Sequence, residues 1–448
     1  MLDPSVFKAY DVRGLYPSEL DEDGAYRVAR AYAEHFEPRA VAVGRDVRLS
    51  SPPILAAVTD GIVDAGADAV ELGLVGTEML YHAVAELGLD GGICVTASHN
   101  PKEYTGMKIV RRGALPVGGD SGLLEIRARA EAGFEAVGRR GVVRDEDVWQ
   151  SFVDKVLSFV DVDAIRPLRV VIDAANGMAG VMLPPVLAHL PQLDVTRCYF
   201  DPDGRFPNHE PNPLLPENRE FIIGKVKEEG ADLGVAYDGD ADRCFFVDDR
   251  GEFVPGDFVT ALLAQAVLAK APGEKVIYDV RASWGVPEAI ERAGGIPLVN
   301  RVGHAFIKQR MRAEGAVFAG EVSAHYYFRD FSQADTGVVP FLVMLELVSR
   351  AGVGLSELLR PFRERYFLTG EINTPVEDVP LKLQELKERY GAQGGRLSHL
   401  DGLSVEFDDW HCNVRPSNTE PLLRLNLEAL SEGLMVEKRD EILELIRA

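Results

Sequence analysis

The sequence predicts an α/β protein with three similar α/β domains and a fourth domain of α+β type at the C-terminus. Apolar strands alternate with helical stretches, which is the pattern of βαβ units. One strand–helix–strand pattern then occurs three times, which indicates an internal triplication. The length of 448 residues is typical of three or four domains. We expect these domains at residues 1–147, 148–250, 251–366 and 367–448.

Each of the three similar units opens on an apolar strand that ends in a polar turn. These segments are Ala40–Asp46, Val170–Gly177 and Val276–Ser283. A helix and a second strand follow, and a further strand then ends in a loop rich in functional groups. Ligands bind at the carboxyl ends of strands in open α/β sheets, so these loops are the candidate site loops. We interpret the repeated pattern as a common three-fold organisation. The alternative is that unrelated βαβ units resemble one another for physical reasons alone.

The last domain follows a different pattern. We predict a helix near Leu381–Tyr390, strands near Gly402–Phe407 and Trp410–Arg415, and a terminal helix from about Leu434. The segment Pro361–Asp378 is predicted to be the passage into this domain.

The formal net charge of −23 limits the classes of partner. A protein with this much negative charge repels nucleic acid and anionic membrane surfaces. A site for an anionic substrate therefore needs a local cluster of positive groups. No apolar run approaches the ~20 residues of a membrane span, and the N-terminus does not resemble a signal peptide. The cysteines are far apart, so we expect reduced, mostly buried thiols in a cytoplasmic protein; they are Cys94, Cys198, Cys244 and Cys412.

The first loop presents Ser98 and His99 after the apolar run Ile93–Val95. A buried strand that ends in Ser-His-Asn-Pro is suited to hold a reactive serine at the lip of a cleft. Lys108 follows on the next apolar segment. From this segment alone, an ordinary strand-to-turn junction explains the sequence equally well, because Ser and Asn-Pro favour turns.

The second loop, Asp238–Arg243, has three carboxylates at alternate positions: Asp238, Asp240 and Asp242. Hard oxygen ligands of this kind suit Mg²⁺. An EF-hand does not fit, because Arg243 stands where that loop needs Gly and strands flank the segment. A solvated acidic turn is the remaining alternative, and the apolar strands on both sides disfavour it. Arg243 is suited to offset the carboxylate charge or to contact a phosphate.

The third loop carries Glu321, Ser323 and His325 at alternate positions, so an extended segment would point all three side chains one way. They are the groups that sugar hydroxyls require, but a hydrated strand end remains an equal alternative. In the last domain, Arg415, Ser417, Asn418 and Thr419 are suited to cradle a phosphate, and Arg424 adds a second guanidinium. A Pro-Ser-Asn turn is the alternative there.

Together with Tyr10–Gly14 near the N-terminus, these loops resemble the α-D-phosphohexomutase superfamily, most closely its bacterial phosphomannomutase/phosphoglucomutase branch. The resemblance covers essentially the whole chain, with the five motifs in the family's order. The third loop departs from the pattern, because Ala324 stands where the family usually has Gly. Val322 resembles the Met of the mannose and glucose enzymes, whereas the glucosamine branch tends to a polar residue there.

The resemblance implies mixed sheets in the three similar domains and four domains around one central cleft. It implies that Ser98 carries a phosphoryl group, with Mg²⁺ held by a phosphoserine oxygen and by Asp238, Asp240 and Asp242. Candidate catalytic residues are then Ser98, His99, Lys108, Arg13, Arg243 and His325. Candidate substrate-binding residues are Tyr10, Arg281, His304, Glu321, Ser323, His325, Arg415, Ser417, Asn418, Thr419 and Arg424.

The implied reaction interconverts hexose 1-phosphate and hexose 6-phosphate of mannose or glucose, with hexose 1,6-bisphosphate as activator and intermediate. A phosphoglucosamine mutase, a Mg²⁺-dependent sugar-phosphate phosphatase and a non-catalytic sugar-phosphate sensor are the alternatives. The expected partners are small sugar phosphates, with neither nucleic acid nor membrane, and we expect a monomer or homodimer.

Overall fold

The computed structural model describes residues 2–135, 138–417 and 422–448. These residues form two compact units. The first unit contains the chain up to Val254 together with His325–Leu355, and the second contains Pro255–Ala324 together with Ser356–Ala448.

The N-terminal part of the first unit is a seven-stranded mixed sheet with helices. The strand order is β1-β5-β4-β2-β3-β7, and β6 pairs with β5. Strands β2, β3, β4 and β7 run parallel, whereas β1 and β5 run against their neighbours. The elements are β1 (Val12–Leu15), α1 (Glu22–Phe36), β2 (Ala40–Arg45), α2 (Ser51–Asp64), β3 (Asp68–Leu74), α3 (Thr77–Glu86), β4 (Gly91–Val95), β5 (Tyr104–Arg111), β6 (Leu115–Pro116), α4 (Leu124–Ala132), β7 (Val143–Asp145) and α5 (Trp149–Leu157).

Strand β4 is buried along its whole length. Gly92 allows α3 to pack directly on it, because a Cβ there would lie 2.8 Å from Val84 Cγ2. The strand ends at the Ser98 loop, and β5 returns antiparallel with Cys94 opposite Lys108. Lys108 therefore stands beside the loop because of the sheet register.

A second sheet in the first unit has the order β12-β11-β10-β8-β9. Strands β8, β9 and β10 are parallel, and β11 returns antiparallel to β10 with Tyr237 opposite Cys244. Asp238–Arg243 is therefore the six-residue loop of a hairpin at the carboxyl end of a buried strand. The elements are β8 (Arg169–Asp173), α6 (Ala179–Leu187), β9 (Asp194–Cys198), α7 (Glu220–Glu229), β10 (Leu233–Tyr237), β11 (Cys244–Val247) and β12 (Phe253–Val254).

The second unit begins with three parallel strands, with β13 between β14 and β15. The elements here are α8 (Gly256–Lys270), β13 (Lys275–Asp279), α9 (Gly285–Arg292), β14 (Ile296–Asn300), α10 (His304–Glu314) and β15 (Phe318–Gly320). The chain then contributes an antiparallel hairpin and a helix to the first unit: β16 (Tyr326–Phe328), β17 (Ala334–Asp335) and α11 (Val338–Ala351). Helix α12 (Leu355–Arg363) follows.

The last part of the second unit is an antiparallel sheet in the order β18-β22-β21-β20-β19. Its elements are β18 (Phe367–Pro375), α13 (Val379–Ala392), β19 (Arg396–Ser398), β20 (Leu403–Glu406), β21 (Trp410–Pro416), β22 (Leu422–Ala429) and α14 (Glu432–Arg447). Its core includes Leu386, Tyr390 and Trp410. The predicted helices and the strands β20 and β21 are present, with slightly different ends.

Two features of this last sheet differ from the prediction. The segment predicted as a passage contains the edge strand β18, and β22 forms the strand beside it. Strand β18 is only partly buried, so its sequence lacks the apolar alternation that predicts a strand. The class itself is confirmed: mixed α/β sheets precede a C-terminal antiparallel sheet with helices.

No single helix in the described ranges is long and apolar enough to cross a membrane. Among the described residues, the helices Val338–Ala351 and Leu355–Arg363 are long and apolar enough only when they are taken together, and they meet at a bend of 92°.

Candidate active site

Ser98 lies just beyond the carboxyl end of β4 in a left-handed backbone conformation, with φ of 50°. Its N–H donates to Thr96 Oγ1 at 2.9 Å. Its hydroxyl donates to Asp238 Oδ2 at 3.0 Å and lies 3.3 Å from His99 Nδ1. The loop thus turns a buried serine hydroxyl toward the carboxylate loop of the second sheet.

Arg48 stabilises the Ser98 loop through hydrogen bonds to its backbone. Its fully buried guanidinium donates to the carbonyl oxygens of four loop residues, at 2.7–3.2 Å: Ser98, Asn100, Pro101 and Tyr104. Asp46 lies 3.2 Å from Arg48 Nε and balances the buried charge. The sequence analysis did not identify Arg48. Its one signal is position, because Asp46 ends the polar turn after β2, which is parallel to β4.

The three carboxylates of the hairpin loop are fully buried and lie together. One ligand atom from each of Asp238, Asp240 and Asp242 lies within 4.8 Å of the others. Asp240 Oδ1 and Asp242 Oδ1 accept no hydrogen bond from any residue the structure describes. Buried carboxylate oxygens without donors are the ligands a divalent cation needs, so this loop fits one.

Lys108 places an ammonium group among these carboxylates. Its Nζ donates to Asp240 Oδ2 at 2.7 Å and also to Asp242 Oδ2. Thr77 Oγ1 donates to the same Asp240 oxygen at 2.5 Å. Burial alone would lower the pKa of Lys108, but Asp240 and Asp242 outweigh it and the pKa is raised. The Lys108 ammonium thus donates to two of the three carboxylates.

The same charges separate the carboxylates by proton affinity. Burial, together with the charge of Asp240, raises the pKa of Asp238 and raises the pKa of Asp242 to about 6. Burial also opposes ionisation of Asp240, but Lys108 and its hydrogen bond lower the pKa of that group. Crowded carboxylates of this kind are stabilised by any added cation.

His99 is held by Arg243. Arg243 Nη2 lies 2.5 Å from His99 Nδ1, and its Nε lies 3.4 Å from Asp238 Oδ2. A guanidinium only donates, so His99 Nδ1 is an acceptor and the ring proton is on Nε2. Burial and the charges of Arg243 and Arg13 lower the pKa of His99. His99 is thus a neutral neighbour of Ser98 and not the base of a hydrolase triad.

Three further predicted residues belong to the first unit. Arg13 donates to Asn100 Oδ1 and to Asp11 Oδ2, both at 2.5 Å, and so contacts the Ser98 loop. His325 Nε2 lies 3.8 Å from Asp242 Oδ1, and its backbone forms a bridge with Arg243. Tyr10 is half-buried in the bend before β1. The first unit therefore brings together all the predicted catalytic residues and the predicted metal ligands.

The Glu321–Ala324 segment in the second unit is a turn. Ala324 N–H donates to the Glu321 carbonyl at 3.0 Å, and Ala324 is left-handed with φ of 65°. The segment is therefore not extended, so the alternation of Glu321, Ser323 and His325 does not place their side chains on one face. Two hydrogen bonds fix the turn. The Val322 N–H donates to Asp279 Oδ2 at 2.8 Å, and the Gly303 N–H donates to Glu321 Oε1 at 2.9 Å. His304 follows Gly303 and begins α10.

The remaining predicted arginines of the second unit share one carboxylate. Arg281, Arg415 and Arg424 all donate to Glu371, a residue of β18 that the sequence analysis did not identify. Arg424 Nη2 also donates to Ser417 Oγ at 3.2 Å. Asn418 and Thr419, predicted to bind phosphate, lie outside the described residues.

Comparisons with known proteins agree with this architecture. Four family models match in order: phosphoglucomutase/phosphomannomutase alpha/beta/alpha domains I, II and III, at residues 4–136, 150–251 and 255–366, and the C-terminal domain at 371–445. The chain therefore belongs to the phosphoglucomutase/phosphomannomutase family.

Similar proteins cover nearly the whole chain. A protein of Xanthomonas campestris pv. campestris named for phosphohexose mutases is 45% identical over 98% of this chain and 99% of its own length. A phosphomannomutase of Salmonella montevideo is 43% identical over 99% of both. The crystal structure of a phosphoglucomutase/phosphomannomutase family protein from Burkholderia thailandensis is 33% identical, with a TM-score of 0.90 over 100% of this chain and 98% of that one.

Proposed function

We propose that this protein is a phosphohexomutase that moves the phosphoryl group of a hexose phosphate between positions 1 and 6 through phospho-Ser98. The observation that carries the proposal is the buried Ser98 hydroxyl, 3.0 Å from Asp238 in a cluster of three carboxylates that fits a divalent cation. Relatives named phosphomannomutase, similar over the whole chain, support the same reaction.

The first step transfers the phosphoryl group from phospho-Ser98 to the sugar phosphate. A sugar hydroxyl oxygen forms a bond to phosphorus while the bond from phosphorus to Ser98 Oγ breaks. The product is a hexose 1,6-bisphosphate. After it turns around, its other phosphoryl group returns to Ser98 as the bond from that phosphorus to the sugar oxygen breaks. The sequence of steps leaves Ser98 phosphorylated for the next turnover.

The residues near Ser98 divide the remaining tasks. Lys108 and Arg243 donate hydrogen bonds to phosphoryl oxygens and offset their charge. His325 accepts the proton of the attacking hydroxyl in this proposal, because Lys108 donates to Asp240 and Asp242 and His99 Nδ1 already accepts from Arg243. Asp238, Asp240 and Asp242 would hold a divalent cation such as Mg²⁺, which when bound would withdraw further charge from the phosphoryl group.

The second unit supplies binding groups in this proposal. Arg415, Arg424 and Ser417, with Asn418 and Thr419, hold the phosphate that is not reacting. Glu321, Ser323 and His304 contact sugar hydroxyls. Mannose and glucose phosphates are the proposed substrates, because the apolar Val322 resembles the residue of that branch and several relatives are named phosphomannomutase.

A substrate panel tests the proposal. The purified protein, with Mg²⁺ and catalytic hexose 1,6-bisphosphate, is given mannose, glucose and glucosamine 1-phosphates. Phosphorus NMR then measures 6-phosphate and free phosphate separately. We expect isomer formation with mannose or glucose phosphate and little free phosphate. Turnover of glucosamine phosphate alone would reassign the sugar, free phosphate without isomer would indicate a phosphatase, and no turnover at all would contradict an enzymatic role.

A further inference from the structure

Glu371 accepts hydrogen bonds from three guanidinium groups. Arg415 Nη2 lies 2.8 Å and Arg281 Nη1 lies 3.3 Å from Glu371 Oε2, while Arg424 Nη1 lies 3.1 Å from Oε1. Each arginine contributes a single terminal nitrogen to this contact. Burial would raise the pKa of Glu371, but the three arginines outweigh it and the pKa is lowered, so the side chain stays anionic.

The sheet register explains how these groups meet. Arg415 on β21 is directly opposite Arg424 on β22. Glu371 on β18 is opposite Asn426, two residues from Arg424 and on the same face of the sheet. Arg281 follows β13, and its guanidinium forms two 2.9 Å hydrogen bonds with Asp279. The cluster is therefore built by elements distant in sequence.

The charges in this cluster divide unequally. Asp279 neutralises Arg281, and among the described residues Glu371 is the carboxylate that accepts hydrogen bonds from Arg415 and Arg424. The Nε groups of these two arginines are buried and donate to no acceptor among the described residues. Two guanidiniums with unused donors are suited to a further oxyanion. The Glu371 side chain keeps 24% of its surface exposed, so solvent reaches the guanidinium pair of Arg415 and Arg424, here called the guanidinium fork.

We propose that Glu371 is an internal competing anion, which lowers the affinity of the guanidinium fork formed by Arg415 and Arg424 for phosphate. This inference rests on the proposed function and refines it. A phosphate that enters the fork competes with Glu371 for guanidinium N–H groups and is repelled by its charge. A bisphosphate that must leave, turn and bind again is served by such moderated affinity, because a phosphate held too tightly stops the reorientation.

The test is Glu371→Gln, which keeps the shape of the side chain and removes its charge. Inorganic phosphate is the probe, and its Kd is measured by titration calorimetry on the full-length protein. We expect the variant to bind phosphate about 5- to 20-fold more tightly, with a lower KM for hexose phosphate and a lower kcat. Glu371→Asp keeps the charge and is expected to bind phosphate close to the wild-type level.

Glu288→Gln is the matched control, because it also removes one carboxylate of the second unit. Glu288 pairs with Arg365 and Tyr366 and not with the arginines that Glu371 contacts, so phosphate affinity is expected to stay unchanged. Thermal unfolding confirms that each variant is folded. Weaker or unchanged phosphate binding in Glu371→Gln would overturn the inference, since a clamp that only positions the arginines gives that result.

The calorimetric readout is independent of turnover. If the wild type interconverts hexose phosphates while Glu371→Gln binds phosphate less tightly, the inference fails and the proposed function stands. If Glu371→Gln binds phosphate more tightly while the wild type has no mutase activity, Glu371 is a competing anion in an oxyanion site of another function.

Discussion

In each unit, one charged side chain contacts two or three side chains of the opposite charge. In the first unit the Lys108 ammonium contacts the carboxylates of Asp240 and Asp242. In the second unit the Glu371 carboxylate contacts the guanidiniums of Arg281, Arg415 and Arg424. The first cluster is suited to a cation and the second to an anion.

The clusters differ in how the chain builds them. The carboxylates come from one six-residue hairpin loop, whereas the guanidiniums come from three separate segments: Arg415 and Arg424 are opposite each other on β21 and β22, and Arg281 follows β13 of another sheet. The first cluster therefore depends on a local turn, and the second depends on the register of the last sheet.

Ser98→Ala is expected to lower mutase turnover by at least about 1,000-fold, because no other side chain replaces the phosphoryl carrier. Mass spectrometry should find phosphoserine at Ser98 in the wild type and none in the variant. Ser417→Ala removes a hydroxyl from the second unit instead and should mainly raise KM. Near-normal turnover in Ser98→Ala would remove the first unit from the chemistry.

Asp240→Asn is expected to lower turnover by about 100-fold, because it removes a charged oxygen from the cation cluster and leaves Lys108 with a weaker partner. The rise in Tm on adding Mg²⁺ should disappear in this variant and persist in Glu371→Gln. Differential scanning calorimetry with and without chelator measures both. An equal Mg²⁺-induced rise in the two proteins would contradict the assignment of the cation to the first unit.

Asp257 is a buried carboxyl of the second unit whose hydrogen bonds come from the backbone N–H groups of Ser283 and Phe258. Burial and the charge of Glu428 raise the pKa of Asp257 to about 7. The folded protein then holds a proton that the unfolded chain releases above about pH 4, so this group lowers the free energy of unfolding as pH rises toward 7. The opposite shift of Asp240 reflects its contact with Lys108.

Asp257→Asn is expected to flatten that loss of stability, which is on the order of a few kcal/mol between about pH 4 and pH 7. Urea unfolding at several pH values measures the free energy of unfolding. Asp163→Asn, on the surface of the first unit, serves as a control for the loss of one charge. If the free energy of unfolding of Asp257→Asn still falls steeply as the pH rises, the pH dependence would be assigned to other groups.

Arg415→Lys is expected to raise KM about tenfold with a smaller change in kcat, because a lysine keeps the charge and loses the planar fork. Steady-state kinetics at fixed bisphosphate separates the two parameters. Arg396→Lys, at an exposed position of the same sheet, should leave both unchanged. A fall in kcat with an unchanged KM would move Arg415 from binding to the chemical step.

The sequence predicted the fold class and most of the first cluster. Three carboxylates within five residues are near one another in any conformation, and flanking apolar strands indicate that the loop is held by a buried sheet. The position of Ser98 after β4 follows from the same strand pattern. The turn at Glu321–Ala324 was missed because alternating polar residues suggest an extended segment, whereas Ala324 adopts a left-handed conformation more typical of Gly.

The sequence by itself therefore determined the alternation of elements, the loops at the strand ends and the charge of each loop. Only the tertiary structure decided that Arg48 supports the Ser98 loop from 50 residues away and that Glu371 joins three arginines 44 to 90 residues distant. The reason is physical. Periodicity and turn chemistry are local properties of the chain, whereas the partner of a buried charge depends on which strands pair and in what register.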